Sequence, residues 1–219
     1  ISKGIALIEY EIGNTKYRRE YFCSYPDQVI VMRLSTDNDA GFSGSIGISS
    51  LHKKSTIQAI DDKLIFSGEV DTESEQNKGL EFEAQLTVIP EGGSLKSSNE
   101  KLWIEHSKSV TIIVAGATNY QMSYPNYYGD SPAIKNEKTL EAIAGKNFEK
   151  LKERHINDFS SLFSRVDLEL GQDSVYLNKP TDKRLQMYRK KRDDRHLETL
   201  LFQYGRYLLI SSSRPGGLP

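Results

Sequence analysis

The apolar residues of this chain change their spacing near residue 119, and this change constrains the fold more than any other feature of the sequence. In residues 80–88 every second side chain is apolar, which places one face of a strand on a core and the other in water. Later apolar positions follow helical steps of three and four, namely Leu140, Ala144, Phe148, Leu151, His155, Phe159 and Leu162. The chain is therefore predicted to be mainly β first and helical afterwards.

Further strand patterns precede the change. Residues 28–34 and 109–117 are short apolar runs rich in β-branched side chains, which predicts strands covered on both faces. A period of two also links Phe42, Gly44, Ile46 and Ile48. Turn-forming clusters separate the runs at residues 37–41, 61–62 and 90–93. Short strands and turns at this spacing predict antiparallel sheets packed as a sandwich.

The second half is predicted to hold two main helices. Residues 119–132 have no clear period and are interpreted as a loop, followed by one helix over residues 139–163 that would be about 37 Å long if continuous. Residues 166–170 are a short strand or extended link, and residues 171–185 a connector. Asp193 or Asp194 would cap the last helix. Its apolar positions are Leu197, Leu200, Leu201, Tyr204, Leu208 and Ser211.

Composition excludes several classes of protein. The chain has 29 basic and 30 acidic residues, so no overall charge attracts it to nucleic acid or to an anionic membrane. No stretch approaches the roughly 20 apolar residues of a membrane span, which predicts a soluble protein. The single cysteine, Cys23, excludes an intrachain disulfide and a zinc site built on several thiolates.

The residues that could carry chemistry form no recognisable catalytic or metal motif. The four histidines (His52, His106, His155 and His196) lack the spacing of paired metal ligands. His155 lies on the apolar face of the long helix, where a core histidine is several times more common than a ligand or catalyst. A glycosidase needs two carboxyl groups on either side of one sugar bond. The acidic residues lie on alternating strand faces or helix surfaces and are interpreted as mostly solvated (Glu81, Glu83, Glu137, Glu141, Glu149 and Glu153).

Two other segments allow a binding role. Residues 183–195 hold seven basic residues but no aromatic residue other than Tyr188, so a solvated connector is favoured over a nucleic-acid site. Residues 119–132 gather four tyrosines that could stack on sugar rings, although packing against a neighbouring element explains them equally well. These four are Tyr120, Tyr124, Tyr127 and Tyr128.

Several sequence blocks resemble glycoside hydrolase family 95, the α-L-fucosidases of bacteria and plants. The blocks follow the family's order and cover nearly the whole chain. They are YRREYFCSYPDQVIVMRLS (residues 17–35), GATNY (116–120), LKERHINDFSSLFSRVDLELG (151–171), PTDKRL (180–185) and FQYGRYLLISSSRPGGLP (202–219). The last block is the most specific, because it is long and rarely seen elsewhere.

The resemblance implies a β super-sandwich at residues 1–120, which lacks its early strands, a loop and helical linker at residues 121–181, and the start of an (α/α)6 catalytic barrel at residues 182–219. It implies an exported bacterial hydrolase, secreted or periplasmic, that acts on fucosylated oligosaccharides or glycans by inverting hydrolysis. We assign no catalytic residue, cofactor or metal ligand to this chain, and its substrate-binding residues stay unknown. Neither a nucleic acid nor a membrane is expected as a partner.

We expect the chain to stop just before the catalytic sequence, because the helical pattern ends at Ser213 and Arg214 and Pro215 begin a loop. Arg214 either orients that loop or makes a packing contact. The apolar stripe of the last helix (Leu197, Leu201, Tyr204 and Leu208) would then be uncovered, so the isolated chain is expected to self-associate or to form a swapped homodimer. The alternative function is a non-catalytic sugar-binding or scaffolding sandwich module. Nucleic-acid binding through residues 183–195 is the least favoured.

Overall fold

A computed structural model describes residues 1–72, 79–171 and 175–215. The chain divides into two compact units, one of Ile5–His155 and one of Ile1–Gly4 with Ile156–Pro219. The division falls inside one helix. Within the described residues, no helix has both the length and the apolar character needed to cross a membrane.

The first unit contains two antiparallel sheets. The larger has the order β1-β2-β3-β10-β7-β6-β5, and the smaller has the order β4-β9-β8. The strands are β1 (Ala6–Ile12), β2 (Thr15–Ser24), β3 (Val29–Thr36), β4 (Phe42–Ile46), β5 (Ser55–Ile60), β6 (Lys63–Glu69), β7 (Glu81–Glu91), β8 (Ser94–Ser98), β9 (Lys101–Ser107) and β10 (Ser109–Thr118). The predicted antiparallel sandwich is confirmed.

Tight turns set the register of the hairpins. In the β1–β2 hairpin, Ile12 faces Thr15 across a two-residue turn whose Gly13 has a φ of 61°. In the β8–β9 hairpin, Ser98 faces Lys101, and both turn residues, Asn99 and Glu100, also have positive φ. Turns of this handedness match the twist of paired strands, which is why two residues suffice.

Both faces of the large sheet are covered. On one face, residues of β6, β7 and β10 pack against Leu102 and Ile104 of the small sheet. On the other, residues of β2, β3 and β10 pack against Ile143, Phe148 and Leu151. Val110 and Ile112 of β10 belong to the first of these clusters, and Ile113 and Ala115 belong to the second. The predicted burial of this strand on both faces is therefore confirmed.

Four helices occur in the described residues: α1 (Pro132–Ala142), α2 (Phe148–Phe163), α3 (Thr181–Lys191) and α4 (Arg195–Ser212). The prediction of one helix over residues 139–163 is wrong. Gly145 adopts a φ of 78°, and the side chain of Asn147 accepts a hydrogen bond from the Lys150 amide at 2.9 Å. A left-handed glycine followed by an asparagine cap ends one helix and begins the next.

The interpretation of residues 171–185 as a connector is also wrong in part, because α3 begins at Thr181. The preceding Pro180 has a fixed φ and lacks an amide hydrogen, which suits a helix start. Residues 166–170 lie in neither a strand nor a helix, so they form a link. Asp194 caps α4 by accepting a hydrogen bond from the Leu197 amide at 2.9 Å, as predicted.

Candidate functional site

The tyrosine-rich loop connects β10 to α1 and carries a cluster of exposed rings. The rings of Tyr120 and Tyr127 are parallel within 1°, with centroids 6.5 Å apart. Tyr124 meets Tyr127 edge-on at 6.4 Å and is 85% exposed. Tyr128, also exposed, forms a β-bridge with Tyr120. The four predicted tyrosines therefore come together on the surface of the sandwich unit.

A buried ion pair joins α3 to the start of α4. The Arg184 guanidinium donates to both carboxylate oxygens of Asp194 at 2.7 and 2.8 Å, and the two side chains are only 5% and 2% exposed. The hydrogen bonds from Arg184 lower the pKa of Asp194, and those same bonds raise the pKa of Arg184. The interpretation of residues 183–195 as a solvated connector is therefore wrong at Arg184, which is the buried residue of α3.

Two more polar contacts surround this pair. The Tyr188 hydroxyl donates to the Glu198 carboxylate, and the Tyr176 hydroxyl donates to Asp193 at 2.8 Å. The hydrogen bond to Glu198 raises the pKa of Tyr188. His196 lies beside the pair, with Nδ1 at 3.0 Å from an Arg184 nitrogen. These contacts connect α3 and the segment before it to the start of α4.

An apolar groove of about 600 Å³ runs between α3 and α4, lined by Leu185, Leu200 and Tyr204 among others. Of the stripe predicted to be uncovered, Leu201, Tyr204 and Leu208 are exposed. Leu197 is instead buried, at 6% exposure, so its predicted exposure is wrong. It lies in the first turn of α4, next to the capping Asp194. The homodimer stays a prediction.

Charged side chains attach the first half of α2 to the large sheet. Lys152 donates to the Glu20 carboxylate at 2.6 Å, and Arg154 donates to buried Asp27 at 2.9 Å. On the same helix, His155 is 4% exposed and stacks on Phe22 with centroids 4.9 Å apart. This environment agrees with the interpretation of His155 as a core histidine.

Acidification is expected to weaken this attachment through Glu20. Burial alone raises the pKa of Glu20, but hydrogen bonds from Arg18 and Lys152 outweigh it, and the net pKa lies below the ordinary value near 4.5. Between the two values the unfolded chain binds a proton that the folded chain does not, so stability rises with pH. The stabilisation is complete above the ordinary pKa of the unfolded chain, and it is lost as the pH falls through the lower pKa that Glu20 has in the folded chain.

Urea unfolding between pH 3 and pH 6 measures this effect. The fluorescence of Trp103, the single tryptophan, reports on the sandwich unit. A Glu20→Gln variant should show a smaller drop in the unfolding midpoint on acidification than the wild type. Equal drops in the two proteins would show that Glu20 does not contribute.

The remaining histidines and carboxylates are dispersed. His52 lies 3.3 Å from the Asp71 carboxylate, and His106 lies 3.2 Å from the Ala40 carbonyl oxygen. Glu83 accepts hydrogen bonds from Gln85 and Asn136 and is half-buried rather than solvated. Across the residues with described positions, no three His, Cys, Asp or Glu side chains are grouped to hold a metal ion.

Arginines of the last helix and the segment after it contact the second half of α2. Arg214 donates to the Asp158 carboxylate at 2.6 Å and is 14% exposed, which agrees with the packing role considered for it. Arg206 donates to the carbonyl oxygens of Phe163 and Val166 and lies over the Phe163 ring at 4.6 Å. Sequence reasoning missed the contacts of Arg206 and the burial of Arg184, although it proposed the partner of Arg184, Asp194, as a helix cap.

Comparisons with known proteins agree with this arrangement. Residues 1–123 match the profile described as Glycosyl hydrolase family 65, N-terminal domain, and residues 147–219 match that of the Glycosyl hydrolase family 95 catalytic domain. A probable alpha-fucosidase A of Aspergillus niger is 32% identical over 96% of this chain and 27% of its own length. Alpha-L-fucosidase 2 of Arabidopsis thaliana is 28% identical over 99% of this chain and 28% of its own.

A third relative, a probable alpha-fucosidase A of Aspergillus oryzae, is 29% identical over 100% of this chain and 32% of its own length. The chain thus spans about a third or less of the curated relatives it matches. A solved structure of a proposed kojibiose phosphorylase from human microbiome covers 74% of this chain and 24% of its own at 10% identity, with a TM-score of 0.48. A similarity of that size bears on neither the fold nor the function.

A two-sheet sandwich that leads into helices, together with these two profile matches, defines the N-terminal part of a glycoside hydrolase. Over residues 1–123 the chain belongs to the family described as Glycosyl hydrolase family 65, N-terminal domain, and residues 147–219 are similar to the family 95 catalytic domain. The resemblance in the sequence blocks is thereby confirmed. The domain boundaries at residues 120 and 181 stay predictions.

Proposed function

We propose that this chain is part of an α-L-fucosidase that releases terminal fucose from fucosylated oligosaccharides or glycans. The observation that supports this most is the similarity to fungal and plant alpha-fucosidases along nearly the whole chain. The family 95 match over residues 147–219 adds that α3 and α4 lie in the region described as catalytic. The matched relatives are fungal and plant proteins, so they do not support a bacterial source. A bacterial source and export from the cell are therefore part of the proposal only.

We further propose that the catalytic carboxyl groups lie outside these 219 residues. An inverting glycosidase needs a general acid that is still protonated near neutral pH. The buried acidic side chains of the described residues, Glu20, Asp27 and Asp194, are all paired with basic side chains. The pKa values of Glu20 and Asp194 are lowered, which is the opposite of what a general acid requires.

Release of nitrophenol from a nitrophenyl α-L-fucoside tests this proposal. We expect no turnover by the 219-residue chain and clear turnover by a protein extended through the following gene sequence. Activity of the chain alone would overturn the placement of the catalytic groups. Inactivity of the extended protein on α-L-fucosides, but activity on the matching α-L-galactoside, would overturn the substrate. NMR of the first product should show β-L-fucose if the reaction inverts.

A further inference from the structure

The tyrosine-rich loop (residues 119–131) has the features of a ligand-binding surface. It lies between the end of β10 and the start of α1, and residues 124–131 fall between the two matched family regions. Tyr120, Tyr124 and Tyr127 are 45%, 85% and 40% exposed. Exposed aromatic rings gathered in one place are uncommon on a surface without a partner.

Backbone hydrogen bonds hold the loop in one shape. The Tyr127 amide donates to the Ser123 carbonyl at 2.8 Å, and the Gln121 amide donates to the Tyr127 carbonyl at 3.0 Å. The Gly129 amide donates to the Asn119 carbonyl at 2.7 Å. A loop ordered before binding loses little conformational entropy when a ligand arrives.

The ring arrangement suits a small amphipathic ligand. A pyranose ring has C–H faces that pack on aromatic rings, and hydroxyl groups at its edge that form hydrogen bonds with phenolic oxygens. Tyr120 and Tyr127 offer parallel ring planes, and Tyr124 stands nearly perpendicular to Tyr127 at 83°. The cluster therefore offers both ring faces and hydroxyl groups within one short loop.

Two observations argue against a nucleic acid or a protein as the ligand. Residues 119–131 contain no Lys or Arg, so they lack the cations that a nucleic-acid backbone requires. Three partly exposed tyrosines also offer much less area than the ~800 Å² that each partner buries in a stable protein interface.

We propose that Tyr120, Tyr124 and Tyr127 form a sugar-binding surface on the sandwich, which takes a pyranose unit of a glycan by stacking. The choice of fucosylated probes rests on the proposed function, whereas the stacking itself does not. The surface would hold a glycan chain against the protein without taking part in bond cleavage.

Isothermal titration of the 219-residue chain with methyl α-L-fucopyranoside, a fucosylated trisaccharide and cellohexaose tests the proposal. Saturable binding of at least one sugar is expected. Tyr124→Ala and Tyr127→Ala should each weaken it by roughly three- to tenfold, the loss of one aromatic contact. Tyr124→Phe should keep most of the affinity, because it keeps the ring. Tyr25→Ala, which removes a 37% exposed ring elsewhere on the unit, is the matched control and should have no effect.

Three outcomes would overturn the proposal: no saturable binding of any of these sugars, an equal loss of affinity with Tyr25→Ala, or binding that Tyr124→Ala and Tyr127→Ala leave unchanged. Self-association of the wild type that Tyr124→Ala abolishes in sedimentation experiments would also overturn it, because the loop would then contact protein. Hydrolysis by the extended protein is measured separately. Failure of one proposal is therefore distinguishable from failure of the other.

Discussion

Replacing Asp194 with alanine is expected to destabilise the α3–α4 pair by about 3–5 kcal/mol, because it leaves the Arg184 guanidinium buried without a counter-charge. Loss of the helix cap at the Leu197 amide adds about 1 kcal/mol. Hydrogen exchange of the α4 amides measures the change, since their exchange reports local opening. Exchange should accelerate by more than about a hundredfold.

Two further variants separate the contributions. Asp194→Asn removes the charge but keeps an oxygen that can cap α4, so it should be less damaging than Asp194→Ala. The double variant Arg184→Met/Asp194→Asn removes both charges and should recover much of the stability lost in Asp194→Asn. If Asp194→Ala accelerates exchange less than about tenfold, the ion pair is not what holds α3 to α4.

Leu151→Ala is expected to lower the free energy of unfolding of the sandwich unit by about 2–5 kcal/mol. Leu151 is fully buried, at 0% exposure, in the cluster that joins α2 to the large sheet. The substitution removes apolar contacts and leaves a cavity in that cluster. Urea unfolding followed by Trp103 fluorescence measures the change.

Leu51→Ala is the matched control for this prediction, because the same atoms are removed from a side chain that is 101% exposed in the same unit. Its free energy of unfolding should stay within about 0.5 kcal/mol of the wild type. If both variants behave alike, α2 does not stabilise the sheets. If CD detects the loss of helix in Leu151→Ala while Trp103 fluorescence is unchanged, the helix and the sandwich unfold separately.

The strands were predictable where the spacing of apolar residues follows from the faces of the strand that are buried. Residues 80–88 alternate because one face of β7 meets the small sheet, but the prediction that its other face lies in water is wrong, since Gln85 is 5% exposed and Glu83 bonds to Asn136 of α1. Residues 109–117 are apolar throughout because β10 is covered on both sides. The β1–β2 hairpin was missed, although Gly13 and Asn14 between two alternating runs are a usable turn signal.

The helical half was harder to predict because local signals there compete. The apolar period continues across Gly145, but the helix does not, because Gly145 adopts the left-handed region and Asn147 caps a new helix. In α3, six of the eleven residues are charged, so neither periodicity nor composition reveals the helix. Its one buried side chain is Arg184, whose partner Asp194 lies ten residues away. Long-range pairing of this kind leaves no periodic trace in a single sequence.

The strand order also determines when the large sheet can be completed during synthesis. The segments β1-β2-β3 and β5-β6-β7 are local meanders, but they are joined only by β10, which pairs with β3 and β7 on its two sides. As the chain leaves the ribosome, both meanders therefore have an unpaired edge until Ser109–Thr118 emerges. Closing two distant edges with one late strand is slow compared with forming hairpins. The nascent chain is consequently most exposed to wrong strand pairing before β10 arrives.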